Sequence, residues 1–161
     1  MDFDLFVIGG GSGGVRLARY ASNKGLRVGL AEALDLGGTC VNRGCIPKKI
    51  YSFAAHFSSE QKIMQSYGWN IRKKDFSWKT LVNNKKKELR RLNTIYKDLL
   101  LSSGVKIFNN WASFDGNGEL MIGQKKKIQA SKVVIATGGK PKTLDIEGSK
   151  YCITSDDAFD L

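Results

Sequence analysis

Two of the chain's three cysteines, Cys40 and Cys45, stand with four residues between them inside Gly37-Gly38-Thr39-Cys40-Val41-Asn42-Arg43-Gly44-Cys45-Ile46-Pro47-Lys48-Lys49. The spacing suits a structural staple poorly. On a regular helix, residues i and i+5 face different ways, with Cα atoms about 8–9 Å apart. A disulfide needs about 4.4–6.8 Å. The backbone must therefore bend if these sulfurs are to bond. Gly44 relaxes the φ/ψ limits, and Pro47 cannot donate the helical hydrogen bond to the carbonyl of Arg43. Closing so small a loop adds little stability. The pair therefore reads as a dithiol that opens and closes. The plainer alternative is two buried, reduced cysteines on one helix.

The second chemical pattern is Gly9-x-Gly11-x-x-Gly14. It follows Phe3–Ile8, which reads as a short buried strand, and it opens a helical stretch from Val15 to Asn23. Arg27–Ala31 reads as the next strand and ends at Glu32, 18 positions after Gly14. In that strand–turn–helix–strand setting the glycines form a dinucleotide fingerprint. Gly9 allows the tight turn, Gly11 lets the backbone approach a pyrophosphate, and Gly14 lets helix and strand pack closely. The helix N-terminus offers free N–H groups to phosphate, and Glu32 can accept from a ribose diol. The fingerprint alone does not choose between dinucleotides.

Gly37 to Lys49 resembles the redox-active segment of the pyridine nucleotide–disulfide oxidoreductases, which are FAD enzymes. Cys-Val-Asn-x-Gly-Cys-Ile-Pro-Lys-Lys is nearest to their glutathione reductase branch. Dihydrolipoyl dehydrogenases and mercuric reductases usually carry Ser where this chain has Lys48. The resemblance covers the whole chain in order. It implies an α/β, Rossmann-like FAD-binding domain with a parallel sheet, flanking helices and a small antiparallel meander. FAD is the implied cofactor, NADPH the donor and glutathione disulfide the substrate of a cytoplasmic homodimer.

Roles carried over from the family fall on matching positions. Cys45 is the flavin-proximal thiol, Cys40 the interchange thiol, and Lys48 sits near the flavin N5. Gly9, Gly11, Ser12, Gly13, Gly14, Glu32, Gly38, Thr39, Cys40 and Lys48 fall where FAD is held. Trp111-Ala112 and Ala136-Thr137-Gly138 fall where the family lines adenosine and pyrophosphate. Arg19 matches a glutathione-carboxylate ligand, with Arg16 one turn earlier, and Tyr96 matches a tyrosine lying across the glutathione site. Solvated helix faces for the arginines, and a core position for Tyr96, are the competing readings. The resemblance also implies that residues 1–161 are the N-terminal portion of an FAD-binding domain, with the NADPH and dimerisation domains absent. A single fingerprint, already assigned to FAD, leaves NADPH no site, so this portion is not expected to complete a cycle alone. A dihydrolipoyl dehydrogenase or thioredoxin reductase relative, or a non-catalytic FAD-binding chain, are the alternatives. Lys48 and Arg19 argue against lipoamide.

The remaining elements must position these groups. One helix is expected from Thr39 to Phe57, with Ile50, Phe53, Ala54 and Phe57 as core, followed by an irregular polar stretch from Glu60 to Lys74. A second long helix is expected from Ser77 to Ser102, buried along Leu81, Leu89, Leu92, Tyr96 and Leu99 and ended by Gly104. Val105 to Phe108 and Trp111 to Phe114 read as strands. Asp115-Gly116-Asn117-Gly118 reads as a hairpin turn before Leu120–Ile122 and Lys127 to Ala130. Val133 to Ala136 reads as a buried strand.

Composition narrows the classes. With 26 Lys+Arg against 15 Asp+Glu, the net charge is +11. Lys85–Lys87 and Lys125–Lys127 read as solvated faces rather than a nucleic-acid site. The positive field suits anionic ligands such as NADPH and glutathione disulfide. No apolar run approaches the ~18 residues of a membrane span. No secretory leader is visible. Cys152 has no evident partner, cysteine usage fits a reducing compartment, and no spacing suits a metal. His56, the only histidine, lies eleven residues beyond Cys45, about 16 Å along a straight helix. It reads as structural or solvated.

Overall fold

The computed structural model describes residues 1–70, 75–124 and 126–161, with the side chain of Lys62 outside the description. The part of the expected irregular stretch at 71–74, and Lys125 of the second lysine cluster, lie outside the described residues.

The central strand, β1 (Phe3–Ile8), is buried at every position but Asp4. Parallel strands covered on both faces carry continuous apolar runs of this kind. β1 leads into α1 (Ser12–Asn23), which buries Gly14, Val15, Ala18 and Ala21 along one side, and then into β2 (Val28–Ala31). The chain continues through α2 (Gly38–Arg43), α3 (Cys45–Ser66) and α4 (Trp78–Ser102) to β3 (Lys106–Phe108). An antiparallel meander follows, made of β4 (Ala112–Phe114), β5 (Leu120–Ile122) and β6 (Lys126–Ile128). β7 (Ala130–Ile135) returns to the main sheet, whose order is β3-β2-β1-β7, all parallel. A short 3-10 turn (Ser149–Tyr151) and α5 (Ser155–Ala158) close the chain.

The strand period places two cores on the sheet's two faces. Leu5, Val7, Val28 and Leu30 meet α1 and α4 through Val15, Ala18, Ala21 and Leu100. Phe6, Ile8 and Ala31 meet the meander through Leu120, Ile122 and Ile128. On this second face Phe3, Phe6 and Phe108 pack as an aromatic trio, with ring centroids 5.5–5.9 Å apart. Arg27 ties the start of β2 to β1 by donating from its backbone N (2.8 Å), Nε (3.1 Å) and Nη2 (2.8 Å) to the Asp4 carboxylate. Those side-chain hydrogen bonds hold the Asp4 carboxyl down at about 2. The clamp acts fully above the ordinary carboxylate range and is lost as pH falls through about 2.

Ser77 caps α4 by accepting from the Thr80 backbone N–H at 3.2 Å. Gly104 ends it, with Gly104 N donating to Leu101 O and Val105 N to Leu100 O. Both bonds, and the buried Leu100–Val105 pair beside them, make a Schellman stop.

Several expectations need correction. The segment read as one helix from Thr39 to Phe57 is two, broken at Gly44. Helix then runs on to Ser66 through part of the stretch read as irregular. Ala54, Ala55, Gln61 and Met64 are strong helix formers, and no glycine intervenes before Gly68. Phe53 and Phe57, read as core, are exposed and stack on each other at 6.4 Å. On α4, Leu81, Leu89, Leu92, Tyr96 and Leu99 are half-buried, and among its apolar residues full burial falls to Leu100. The last strand, read as buried from Val133 to Ala136, instead runs Ala130–Ile135 at the sheet's edge with no residue fully buried and Ile135 exposed. It starts early because Gln129 O already accepts from Asp2 N (2.9 Å) and Phe3 N (3.1 Å).

Lys85, read as solvated, is only 2% exposed. Its ammonium donates to Phe159 O and to Asp160 Oδ1 and lies 5.5 Å from the Tyr51 ring. Those partners offset the loss of water around a charge. Tyr51 Oη also donates to Phe159 O at 3.0 Å, and Trp78 Nε1 to Leu161 O at 2.8 Å. Residues 159–161 are thus pinned to α3 and α4.

Gly29 lies under the aromatic trio: a Cβ there would sit 2.6 Å from two Phe6 ring atoms and 3.2 Å from Phe3. Gly29→Ala is expected to destabilise the chain by about 1–3 kcal/mol through overpacking. Gly116→Ala, which meets nothing within 4 Å, serves as the neutral control. Urea midpoints of the two variants check this.

Candidate functional site

The four parallel strands share one direction, so their C-terminal ends open onto a common rim. There the β1–α1 turn, the loop after β2, the α2–α3 corner and the segment after β7 enclose a cleft of about 820 Å³. Such crevices at the carboxyl ends of parallel strands are where α/β folds place ligands.

The rim exists because backbones approach one another more closely than side chains permit. A Cβ on Gly14 would lie 1.9 Å from Gly9 O, and one on Gly38 would lie 2.7 Å from the Gly11 Cα. Gly14 is thus spent on packing and does not line the cleft, whereas Gly9, Gly11, Ser12, Gly13 and Gly38 do. α1 begins at this rim with no acidic residue in its first turn and no side-chain cap. Its first amides are therefore available to an anion.

Glu32, at the end of β2, accepts from Gly10 N at 2.7 Å and from Leu34 N at 2.8 Å. A carboxylate has about four lone-pair sites. Two remain, and the side chain borders the cleft. Asn42 fixes the loop between β2 and α2, donating to Gly38 O at 3.0 Å and Leu36 O at 3.2 Å while accepting from Asn93 Nδ2 at 2.8 Å.

Cys40 lies on α2 and Cys45 is the first residue of α3. Gly44 turns the chain between them. A Cβ at Gly44 would meet Thr39 O at 2.9 Å, so a side chain would force this corner open. The corner brings both thiols to the cleft as free cysteines, Cys45 exposed and Cys40 half-buried. The hydrogen bond to Cys45 first, then burial and the Cys45 charge, push the Cys40 thiol up from its ordinary value.

The carried-over cofactor positions gather here. Gly9, Gly11, Ser12, Gly13, Glu32, Gly38, Thr39, Cys40, Trp111, Ala112, Ala136, Thr137 and Gly138 all border the one cleft. Lys48 does not: it is exposed on α3, outside the lining. His56 is exposed and pairs with Glu60 at 2.9 Å. Arg16, Arg19 and Tyr96 meet in a second cleft of about 410 Å³ between α1 and α4, together with Tyr20 and Asn23. Arg19 Nε also donates to Ser103 Oγ at 3.4 Å. Ser12 borders both clefts. Sequence reasoning missed Asn42 and Asn93 as loop anchors, and Arg43, Lys140 and Asp156 as cleft residues. Arg43 pairs with Asp156 across 113 positions, a separation that leaves no local pattern. Asn42, inside the cysteine segment, was the one signal available. Among the described residues, no group of three or more His, Cys, Asp or Glu could hold a metal, and no helix is long and apolar enough to cross a membrane.

Comparison with known proteins places these features in a wider group. The sequence profile of the family described as "Pyridine nucleotide-disulphide oxidoreductase" matches residues 3–160. A glutathione reductase of Burkholderia cepacia is 40% identical over 160 residues, and one of Pisum sativum, named chloroplastic/mitochondrial, is 39% identical over 176. A thioredoxin reductase of Emiliania huxleyi is 40% identical over 173 residues. Each match covers 99% of this chain but only 31–35% of the relative. The chain thus spans about a third of the length of these relatives.

Exposure and titration together order the thiols. In the chain without added flavin, a short pulse of iodoacetamide near neutral pH is expected to label Cys45 several-fold ahead of Cys40. Thiolate is the attacking form, and the raised Cys40 titration leaves less of it there than an ordinary thiol carries, while Cys45 is also the more exposed. The gap should narrow as pH rises through the raised Cys40 titration. Peptide mass mapping across pH reads the ratio, and labelling of Cys40 first at neutral pH contradicts it.

Proposed function

Since the chain belongs to the pyridine nucleotide-disulphide oxidoreductases, we propose that it carries the FAD site and redox dithiol of an NADPH-driven glutathione-disulfide reductase. The observation that carries this reading is one continuous cleft from the glycine-rich turn to the Cys40/Cys45 corner. The residues fit a flavin dinucleotide: uncapped α1 amides suit the pyrophosphate, Glu32 has lone pairs for a ribose diol, and Trp111 and Ala112 offer a wall for adenosine. Residues 1–161 then form the first portion of the FAD-binding domain. The NADPH site and the dimer contacts of the complete cytoplasmic homodimer belong to the length of the relatives that lies outside the match. No nucleic-acid or membrane role is assigned.

The dithiol's own chemistry follows from the corner. The Cys40 thiolate attacks one sulfur of glutathione disulfide. A Cys40–glutathione disulfide forms, and one glutathione leaves as thiolate and takes up a proton. Cys45 then attacks the Cys40 sulfur, closing the Cys40–Cys45 disulfide and releasing the second glutathione. Held in the cleft by the glycine-rich turn and Glu32, FAD would supply the electron pair that reopens this bridge. Lys48, exposed one turn into α3 beyond Cys45, is the cation that the family resemblance would set near a bound flavin, although it lies outside the cleft lining.

The thioredoxin reductase relative keeps a second substrate in view. Arg16, Arg19 and Tyr96 in one cleft favour glutathione disulfide, whose carboxylates suit two guanidinium groups.

Three measurements test the reading. FAD should bind saturably, with quenched flavin fluorescence, and absence of binding refutes the cofactor site. With FAD, NADPH and glutathione disulfide present, these residues alone should give no steady turnover, and rates in the ordinary range of ~1–10³ s⁻¹ would contradict the division of sites. The prereduced dithiol should be oxidised by glutathione disulfide, and Arg19→Glu should slow this about ten- to a hundredfold, the size of a lost charge-assisted hydrogen bond. The rate with neutral hydroxyethyl disulfide should not change. Equal slowing with both disulfides would remove Arg19 from substrate binding.

A further inference from the structure

Arg43 ends α2, three residues after Cys40 and two before Cys45. Residues three apart on a helix are surface neighbours, about 5–6 Å between Cβ atoms. Arg43 and Cys40 therefore share a face, and both border the large cleft with Cys45. The guanidinium is not free. Its Nη1 lies 3.4 Å from Asp156 Oδ2, with the two side chains 52% and 27% exposed. Asp156 borders the same cleft.

Asp156 is not there by the accident of a loose tail. It sits on α5, whose start is fixed by a reciprocal cap: Thr154 Oγ1 donates to Asp157 Oδ2 at 2.7 Å, and Thr154 N donates to the same oxygen at 2.8 Å. Just beyond α5, Phe159 O is held by Tyr51 and the buried Lys85, and Leu161 O by Trp78. A buried ammonium that donates its hydrogen bonds to this segment loses much if the segment leaves. The latch on α3 and α4 thus delivers a carboxylate to the arginine that borders the cleft with the dithiol.

We propose that Arg43 is a positioning residue for the dithiol, whose positive field sets how readily a thiolate forms there, and that Asp156 moderates that field by holding the guanidinium. The inference deepens the reading of Cys40 and Cys45 as a redox pair and rests on it. Of the other charged groups, Glu32 and Asp35 after β2 and Lys140 after β7 border the same cleft, Lys48 stands on α3 outside its lining, and α4 contributes neutral Asn93 behind α2. All of these stay constant in the comparison below. A nearby cation favours the thiolate, and so favours the dithiol over the disulfide. Both partners are partly exposed, so the effect is moderate.

The experiment uses the full 161-residue chain with Arg43→Gln, Arg43→Lys, Asp156→Asn and the double variant Arg43→Gln/Asp156→Asn. Two quantities are read. One is the midpoint of ultraviolet thiolate absorbance against pH. The other is the exchange equilibrium at mildly alkaline pH, in which dithiothreitol reduces the Cys40–Cys45 disulfide to two thiols and becomes its own cyclic disulfide. Arg43→Gln should raise the midpoint by about half a pH unit and shift the exchange about threefold towards the protein disulfide. Asp156→Asn should move both the opposite way by a similar amount. Arg43→Lys should stay near the parent chain. In the Arg43→Gln background the Asp156→Asn shift should fall to less than half.

Unmoved midpoints and equilibria in folded single variants, judged by circular dichroism and urea midpoint, overturn the proposal. An undiminished Asp156→Asn shift without Arg43 also overturns it, because Asp156 would then act directly. If the parent chain never forms a Cys40–Cys45 disulfide with oxidised dithiothreitol, the redox reading itself has failed, which is a separate and visible result.

Discussion

The structure depends on a steric constraint where three pieces of backbone meet. The β1–α1 turn runs against the loop before α2 and beneath the end of β7 with no room for a side chain. A Cβ on Gly9 would fall 2.3 Å from Ala136 O, and one on Gly10 would fall 2.7 Å from a Leu36 methyl. These contacts let the Glu32 carboxylate bridge Gly10 N and Leu34 N. That bridge fixes the mouth of the cleft before any ligand arrives. The cysteine corner hangs from the same loop, through Asn42 and Asn93. One close approach therefore sets both the dinucleotide-sized crevice and the distance from it to the thiols.

How much of this could be read from the chain depends on how local each cause is. The strands β1 and β2, the glycine turn, the Asp115–Gly118 hairpin turn and the stop at Gly104 all arise from interactions within a few residues. Each was visible as a pattern. The break at Gly44 was half visible. The need for a bend was clear from the cysteine spacing, but two helices rather than a bent one follow from the non-helical backbone of Gly44 (φ −154°, ψ −110°), which spacing does not encode. Lys85 was hidden because its partners lie 74 and 75 positions away. A lysine in a basic run looks solvated until the segment that covers it is placed. Arg43 with Asp156 escaped for the same reason. Phe53 and Phe57 misled in the other direction: helical spacing of apolar residues implies a covered face, but does not say what covers it.

The two faces of the sheet are treated differently. On one, α1 and α4 close over small side chains, and Ala18 and Ala21 allow near contact of helix and strand. On the other, a three-stranded meander closes over large rings. The helical side carries the chemistry because helices end, and their ends present unpaired amides and turn corners at the rim. The meander has no such ends there. It covers the aromatic trio of β1 and β3 and, through Trp111 and Ala112, contributes one wall of the cleft.

Ser12 borders both clefts, and α1 is the partition between them. Its N-terminus faces the larger space, while Arg16 and Arg19 on its flank face the smaller. The two sites therefore share a single mechanical part. A change that tilts or slides α1, such as enlarging Ala18 against the sheet, is felt in both spaces at once. Neither can be retuned by moving that helix without detuning the other. The far wall of the second cleft stands on α4, where Tyr96 and Leu99 border that cleft and not the larger one.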